Sequence, residues 1–297
     1  MKQLCCIGML VLGLLFSCQT KQDAGNALLF SKPNLVAWCI VPFDSVERTP
    51  EQRATMLNEL GIGKLAYDWR AKHLPTFADE IKALKSHHIA LQSVWLWIEP
   101  DSTRILDDTN EQIFEVIRKN NVKTDFWLGF SSGYFEGLTE EQKLEKATTA
   151  VLYIEKRARE IGCGISLYNH GDWFGEPVNQ IRIIEKTGSK DIGMVYNFHH
   201  AHAQIKDFPA LLPKMLPYLK AVNINGMKVE GPKILPLGQG DQELDMLKAL
   251  KASGYNGPIG ILGHVEAADV KVILEGNLKG LAGLLEKMGD TEALATY

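Results

Sequence analysis

Five of the eight histidines follow directly after apolar, strand-like runs of the chain, and they are His170, His199, His200, His202 and His264. Imidazole titrates near pH 7, so a neutral histidine can remove a proton from a carbon next to a carbonyl group. A second histidine or a lysine can then stabilise the negative oxygen that forms. We expect His170 or His200 to be the base, and Lys228 and His264 to stabilise the developing charge.

Aromatic and polar residues also lie at the ends of these strand-like runs, near the histidines in the sequence. An aromatic ring packs against the C–H groups of a sugar, while carboxylate, guanidinium and amide groups bond to its hydroxyls. The pattern predicts a sugar-like ligand, and the alternative is that these aromatics only pack the rim of the protein. The expected substrate-binding residues are Asp68, Trp69, Arg70, Trp97, Glu99, Trp173, Asn197, His199 and Asn225.

Eight units of a strand followed by a helix must position these side chains. No linker divides residues 31–297, so we predict an α/β fold with a single (β/α)8 TIM barrel, whose site lies at the carboxyl ends of the strands. The rival is an open doubly wound sheet, but residues 42–44 after the first strand lack its glycine-rich turn. The predicted strands are 35–41, 64–67, 89–98, 124–130, 164–168, 192–196, 221–225 and 258–262. The predicted helices are 49–60, 76–86, 111–119, 139–161, 178–186, 207–218, 241–253 and 267–287, of which 207–218 is interrupted by prolines.

Composition narrows the range of partners. The chain has 297 residues, 45% hydrophobic and 23% charged, which is typical of a soluble globular protein. Lys plus Arg is 32 against 36 for Asp plus Glu, so no surplus of cations is available for nucleic acid. Cys39 and Cys163, inside apolar runs, are interpreted as buried small side chains and not as a disulfide framework.

The first 17 residues have the form of a secretory signal, with Lys2 ahead of a short apolar run. Residues 15–18, Leu-Phe-Ser-Cys, resemble a bacterial lipobox, which implies cleavage before Cys18 and lipidation of that residue. Residues 18–30 are then a polar tether without a strongly acidic run, so we expect an exported, periplasm-facing lipoprotein that meets the membrane only through its lipid. The alternatives are an ordinary signal peptide cleaved nearby and a poor membrane anchor.

A phosphate group on the substrate is not expected. Barrel enzymes hold phosphate at the loops after strands seven and eight and at a helix N-terminus. The amides of residues 238–240, Gly-Gln-Gly, are followed by Asp241, Glu243 and Asp245, whose charges repel a phosphate. The sequence therefore predicts an unphosphorylated substrate.

Four segments carry a resemblance to a known family. They are 167–173 (Leu-Tyr-Asn-His-Gly-Asp-Trp), 195–200 (Val-Tyr-Asn-Phe-His-His), 236–241 (Pro-Leu-Gly-Gln-Gly-Asp) and 254–259 (Gly-Tyr-Asn-Gly-Pro-Ile). Together they resemble the xylose isomerase-like TIM barrels, the sugar phosphate isomerase/epimerase group related to family 2 AP endonucleases. The resemblance implies a divalent metal held by Glu, Asp, His and Glu at the ends of strands five to eight, assisting proton transfer beside a sugar carbonyl.

This chain departs from that ligand set. The positions aligned with the four ligands hold Tyr168, Asn197, Asn223 or Asn225, and Leu262. Without the carboxylates a Mn²⁺ or Mg²⁺ site is doubtful, because those hard ions prefer oxygen ligands. The expectation is a softer divalent transition metal on His170, His200 and His264, with Glu99 or Asp172 as a further ligand, or a site without metal.

These patterns leave three hypotheses open. The first is an exported enzyme of the isomerase or epimerase type, acting on an unphosphorylated sugar or keto sugar. On the same fold the reaction can instead be that of a 3-keto-glycoside lyase or hydratase. The remaining hypothesis is a carbohydrate-binding lipoprotein without catalysis, which the five histidines disfavour because binding seldom needs so many titratable groups.

Overall fold

Eight parallel strands close into a barrel in the structure, a computed structural model that describes residues 28–100 and 103–297. The order follows the chain from β1 to β8, and β1 pairs with β8 through Leu35 and Ile259. This closing pair confirms the predicted (β/α)8 barrel and excludes the open sheet. The strands are β1 (Leu35–Trp38), β2 (Lys64–Tyr67), β3 (Ala90–Ile98), β4 (Asp125–Phe130), β5 (Gly164–Tyr168), β6 (Ile192–Asn197), β7 (Leu219–Ile224) and β8 (Ile259–Leu262).

Helices connect the strands close to where the periodicity places them. Thr139 starts the longest of them with a capping box to Gln142, the reciprocal pair that the sequence indicates. Pro209 is tolerated because it stands in the first turn of its helix, whereas Pro213 lies inside the same helix. The helices are α1 (Pro50–Leu60), α2 (Phe77–Ser86), α3 (Asp108–Lys119), α4 (Glu140–Glu160), α5 (Pro177–Thr187), α6 (Phe208–Met215), α7 (Glu243–Ala252), α8 (Val270–Met288) and α9 (Thr291–Leu294).

The inside of the barrel is filled by a separate buried cluster with residues from seven of the eight strands, and the half-buried Trp95 of β3 packs against it. Side chains on a strand alternate between its two faces, so the residues that point inward recur at every second position. Trp38 lies 4.9 Å from Trp127 and 5.5 Å from Tyr168 between ring centroids. These aromatic side chains belong to the core, and the residues at the strand ends pack on top of them. Cys39 and Cys163 are both buried and unpaired, as interpreted from the sequence.

The N-terminal boundary differs from the expectation. Residues 28–30, assigned from the sequence to the tether, belong to the folded part, because Phe30 is fully buried and its carbonyl accepts a hydrogen bond from Tyr297 at 2.8 Å. The signal segment, Cys18 and the rest of the tether lie outside the described residues. Within residues 28–100 and 103–297, no helix is both long and apolar enough to cross a membrane.

Candidate functional site

Four of the five strand-end histidines lie together at the carboxyl end of the barrel. The ring centroids of His170 and His200 are 4.4 Å apart, those of His200 and His199 are 3.8 Å apart, and His264 follows at 6.2 Å from His199. They come from the segments after β5, β6 and β8, so three separate parts of the chain meet here. We call these four residues the histidine cluster.

The fifth histidine stands apart from this cluster. His202 lies in a short helical turn, and its Nε2 is 2.7 Å from the main-chain carbonyl of Lys228 on the exposed rim. The side chains of Lys228 and Lys233 are both exposed. The lysine whose charge lowers the pKa of all four clustered histidines is Lys233, five residues further along. The expected role of Lys228 stays a prediction, and Lys233 is a second cation that can serve it.

The clustered imidazoles are held in their neutral form. Burial is the largest cause, and it lowers the pKa of His170, His200 and His264, and that of His199 to about 3. Neighbouring cations and the other imidazoles lower these pKa values further. At neutral pH each ring therefore has a nitrogen lone pair that can accept a proton.

Tyr168 takes the place where the family resemblance puts the first carboxylate ligand. Its hydroxyl accepts hydrogen bonds from Trp38 Nε1 at 3.1 Å and from the side-chain amide of Asn197. The main-chain amide of Asn197 in turn donates to Asn169 Oδ1 at 2.7 Å. Burial raises the pKa of Tyr168 well above its usual value, so the phenol stays neutral. These contacts form an uncharged, hydrogen-bonded layer beneath the histidine cluster.

Several buried polar atoms at the strand ends have no hydrogen-bond partner among the described residues. Buried polar groups are nearly always paired in proteins, so such atoms indicate positions where a ligand or solvent binds. Burial also raises the pKa of Asp68 to about 6, with Arg70 acting against it. The unpaired atoms at the strand ends are Asp68 Oδ2, His170 Nδ1, Asn197 Oδ1, His199 Nδ1, both side-chain polar atoms of Asn223, and Asn225 Oδ1.

A cleft of about 420 Å³ opens on the β2–β3 side of His170. Trp97 stands edge-on to the His170 ring at 5.0 Å, and the indole N–H of Trp69 donates to the carbonyl of Trp95 at 2.8 Å. Trp95 was not among the expected binding residues, although its two-residue spacing from Trp97 puts both on one face of β3. We call this the tryptophan cleft, and it is lined by Trp69, Arg70, Ala71, Trp95, Trp97, Glu99, Asp107, Thr109 and His170.

A second cleft of about 310 Å³ lies on the other side of His170. Its wall includes Trp173, whose indole N–H donates to Glu140 Oε2 at 2.6 Å and whose ring lies 6.0 Å from the ammonium of Lys143. Trp173 and Trp69, expected to bind one ligand, are thus in different clefts. We call this the β4–β5 cleft, and it is lined by Phe130, Ser131, Ser132, Gly133, Tyr134, Phe135, Glu136, Lys143, His170, Asp172, Trp173 and Phe174.

Four expected binding residues line neither cleft, and they are Asp68, Asn197, His199 and Asn225. Asp68 is fully buried, and its Oδ1 accepts a hydrogen bond of 3.4 Å from the main-chain amide of Val41. Asn225 is also buried, and its side-chain amide donates to the carbonyl oxygens of Gly226 and Lys233. These hydrogen bonds hold the turns that follow β2 and β7, while Asp68 Oδ2 and Asn225 Oδ1 have no partner among the described residues.

The glycine-rich segment after β7 is occupied by the chain's own carboxylate. Glu243 Oε1 accepts hydrogen bonds from the main-chain amides of Gly240 at 2.7 Å and Gly238 at 3.0 Å. These are the amides that a phosphate would need. Helix α7 begins at Glu243 and not at Asp241, whose carboxylate instead accepts from the amide of Val229 at 3.2 Å.

The side chains present do not fit the metal site that the family resemblance implies. Nowhere in the described part of the chain do three His, Cys, Asp or Glu side chains gather closely enough to hold one ion. His264 stacks on Phe43 at 3.7 Å and its Nε2 is 3.2 Å from Glu266, so it does not join His170 and His200 around a common point. The expected ligand set of His170, His200 and His264 is not assembled.

A closed (β/α)8 barrel with its polar groups at the strand ends is the architecture of a large class of barrel enzymes. Within that class the chain belongs to the xylose isomerase-like TIM barrel family, whose model matches residues 122–276.

Solved structures with the same fold include several sugar epimerases. The 3-keto-D-glucoside 4-epimerase YcjR from E. coli is 13% identical, with a TM-score of 0.62 over 86% of this chain and 98% of that chain. L-ribulose 3-epimerase is 15% identical, with a TM-score of 0.63 over 89% and 98%. The IolI protein with a zinc atom is 14% identical, with a TM-score of 0.63 over 85% and 98%. At these identities the likeness concerns the fold.

One curated protein with a much longer chain also matches. Protein artemis from Danio rerio is 29% identical over 106 residues, which is 32% of this chain. The match spans only 15% of the length of that protein.

Proposed function

We propose that this protein is an exported carbohydrate enzyme that moves a proton at the carbon next to a carbonyl group of an unphosphorylated sugar or keto sugar. The observation that carries the proposal is the pair of neutral imidazoles, His170 and His200, 4.4 Å apart beside an aromatic cleft. Two neutral bases at this separation can act in turn on one bound substrate. The fold it shares with sugar epimerases agrees with such a reaction.

The proton transfer is balanced within the pair. His170 takes the proton from the carbon next to the carbonyl, and the electrons of the broken C–H bond form an enolate. The positive charge of Lys233, which acts on the same imidazoles, stabilises the enolate oxygen. The His170 imidazolium passes its proton to His200, 4.4 Å away between ring centroids, and delivery of a proton from the His200 side to the same or the neighbouring carbon completes an epimerisation or an isomerisation and leaves both rings neutral again.

The substrate of this reaction carries no phosphate. The amides of Gly238 and Gly240 are already bonded to Glu243. A phosphate placed there would have to displace a buried carboxylate and bear its repulsion.

Elimination or hydration of a 3-keto-glycoside begins with the same removal of a proton next to a carbonyl, so His170 and His200 serve that reaction equally. Binding of carbohydrate alone seldom needs a cluster of titratable groups such as this imidazole pair. The proton-exchange experiment separates both enzymatic reactions from binding alone.

Hydrogen exchange into substrate tests the proposal. Each member of a panel of free sugars and 3-keto sugars is incubated in D2O with the wild type, His170→Ala, His200→Ala or the matched control His202→Ala, and C–H loss is followed by NMR. We expect exchange with the wild type and the control, and a loss of at least about 100-fold in the two cluster variants. Undiminished exchange in both, or none with the wild type, refutes the proposal.

The membrane anchor is a separate part of the proposal. It rests on residues 15–18 and on the cysteine at position 18. Cells that express the full chain are fed an alkyne-labelled palmitate, and the chain is compared with its Cys18→Ser variant. Label and membrane association that disappear only in the variant support the anchor, whereas label retained in Cys18→Ser contradicts it.

A further inference from the structure

We infer that the natural ligand is a two-ring glycoside that spans the tryptophan cleft and the β4–β5 cleft, with the bond between its rings beside His170. The inference deepens the proposed function and rests on it for the role of His170. It starts from a simple relationship: His170 is the one residue common to the linings of these two clefts.

His170 and Trp97 determine how the two clefts meet. Trp97 is edge-on to His170 with ring centroids 5.0 Å apart, so its indole forms a wall of the tryptophan cleft and ends at the imidazole. The His170 ring is half-buried and its Nδ1 has no partner among the described residues. A ligand that crosses from one cleft to the other must pass this unsatisfied imidazole.

Each cleft has the chemistry and the size for one ring. Their volumes of about 420 and 310 Å³ both suit a ring with its substituents. In the tryptophan cleft, the indoles of Trp69 and Trp97 stand near the charged groups of Arg70 and Glu99. An aromatic wall beside charged groups fits a ring with apolar C–H faces and hydroxyl edges.

The β4–β5 cleft repeats this combination with different residues. The Trp173 ring is fixed by its hydrogen bond to Glu140 and lies beside the ammonium of Lys143. Glu136 and Asp172 add carboxylates that repel a phosphate or a carboxylate on the ligand. The second ring is therefore uncharged, either a sugar or an aromatic group.

A single sugar would leave one of the two clefts empty. Binding a second ring that is already joined to the first requires little additional loss of translational freedom, so the linked ligand gains affinity from the second cleft. A glycosidic oxygen beside His170 also gives that residue a position next to the carbons that carry the linkage. This arrangement predicts a preference for glycosides over free monosaccharides.

Two variants fill one cleft each with a bulky side chain and leave His170 in place. Ser132→Trp fills the β4–β5 cleft and Thr109→Trp fills the tryptophan cleft. Both are matched in the size of the new side chain. Circular dichroism and the urea midpoint of each variant establish that it folds.

Binding is measured by calorimetry and by intrinsic tryptophan fluorescence, without turnover. The probes are D-glucose, D-galactose and D-mannose, their phenyl glycosides in both anomers, and cellobiose, lactose and maltose. For the wild type we expect at least one two-ring probe to bind about tenfold or more tightly than its monosaccharide. Only one of the two filling variants should weaken binding of the monosaccharide. Both should abolish the additional affinity that the second ring provides.

The proposal is overturned if no two-ring probe binds the wild type more tightly than its monosaccharide does. It is also overturned if either filling variant retains the full difference in affinity between the two-ring probe and the monosaccharide. Its failure is distinct from that of the proposed function. If the wild type shows no hydrogen exchange but still binds two-ring probes more tightly, the proposed enzymatic function fails and the two-cleft binding site stands. If hydrogen exchange is observed but two-ring probes bind no more tightly, the enzyme stands and its ligand is a single ring.

Discussion

The side-chain amide of Asn225 donates a hydrogen bond of 2.9 Å to the main-chain carbonyl of Lys233. The same segment is closed by an antiparallel bridge between Gly226 and Leu235. The hairpin that follows β7 is thus tied to the strand end, and this contact fixes the main chain at Lys233. Lys233 is the lysine whose charge lowers the pKa of the four clustered histidines.

Replacing Lys233 by alanine is expected to raise the pKa of His170. Burial is the main reason that this pKa is low, and the charge of Lys233 lowers it further, so removing the charge makes the imidazolium easier to form. NMR titration of the histidine ring protons in the full chain measures the change directly. In an active enzyme the acid limb of kcat/KM moves to higher pH in the same direction.

Lys228→Ala is the matched control for this titration. Its side chain is exposed on the same hairpin, and its carbonyl, which the substitution keeps, is the group that contacts His202. The charges that lower the pKa of His170 are those of Lys233 and Arg70, so removal of Lys228 should leave the His170 titration as in the wild type. Equal displacement by both variants would mean that the position of Lys233 has no special effect.

Acid should destabilise the fold through the buried histidines. His199 has a pKa of about 3 in the folded state, below its value in the unfolded chain. From about pH 6.5 downward, the unfolded chain therefore binds a proton at this residue that the folded chain does not bind. Its stabilising contribution is complete above that pH and is lost as the pH falls towards 3. In His199→Asn the fall in the free energy of unfolding should be shallower by up to about 1.4 kcal/mol per pH unit.

Urea unfolding at pH 7.5, 6, 5 and 4 measures this slope. His202→Asn is the control, since it removes a histidine on the rim outside the cluster. A wild-type slope that His199→Asn leaves unchanged would show that the ring is protonated in the folded protein.

The barrel itself could be predicted because its determinants are local. The alternation of apolar runs and amphipathic segments specifies eight strands, and caps such as Thr139 and glycines such as Gly162, at φ +71°, end the helices where the sequence indicates. The strand ends could be predicted for the same reason, and so could the meeting of His170, His200 and His264 at one end of the barrel.

The details of the site depend on loops, and loop geometry is not periodic. Lys228 and Lys233 both follow β7, and no periodic pattern indicates which of the two acts on the pKa of the clustered histidines. Trp69 and Trp173 look alike as post-strand aromatics, yet they line different clefts. The two-residue period of a strand places Trp95 on the same face of β3 as Trp97, so the sequence does carry a signal for Trp95. No sequence signal indicates that Ser132 and Lys143 line a cleft with His170.

Removing the Glu243 carboxylate should destabilise the segment after β7. The side chain is buried and accepts hydrogen bonds from the amides of Gly238 and Gly240. Each hydrogen bond to a charged group contributes roughly 1.5–3 kcal/mol, so Glu243→Ala should lose about 3 kcal/mol in the free energy of unfolding by urea. Asp245→Ala, an exposed carboxylate in the same helix turn, should change it by less than about 0.5 kcal/mol. Similar losses in both would refute the role given to Glu243.

Gly129→Ala should displace Trp97 and so distort the tryptophan cleft. A Cβ at position 129 would lie 2.6 Å from Trp97 Cζ3, and the indole has no room to stay where it is edge-on to His170. We expect a loss of about 1–3 kcal/mol in stability towards urea and a changed near-UV circular dichroism spectrum. The control is Gly276→Ala in α8, where a Cβ meets no atom within 4 Å and a better helix former should stabilise by about 0.5–1 kcal/mol. A Gly129→Ala protein with wild-type stability and an unaltered spectrum would mean that Trp97 is free to move, and that the cleft does not depend on its position.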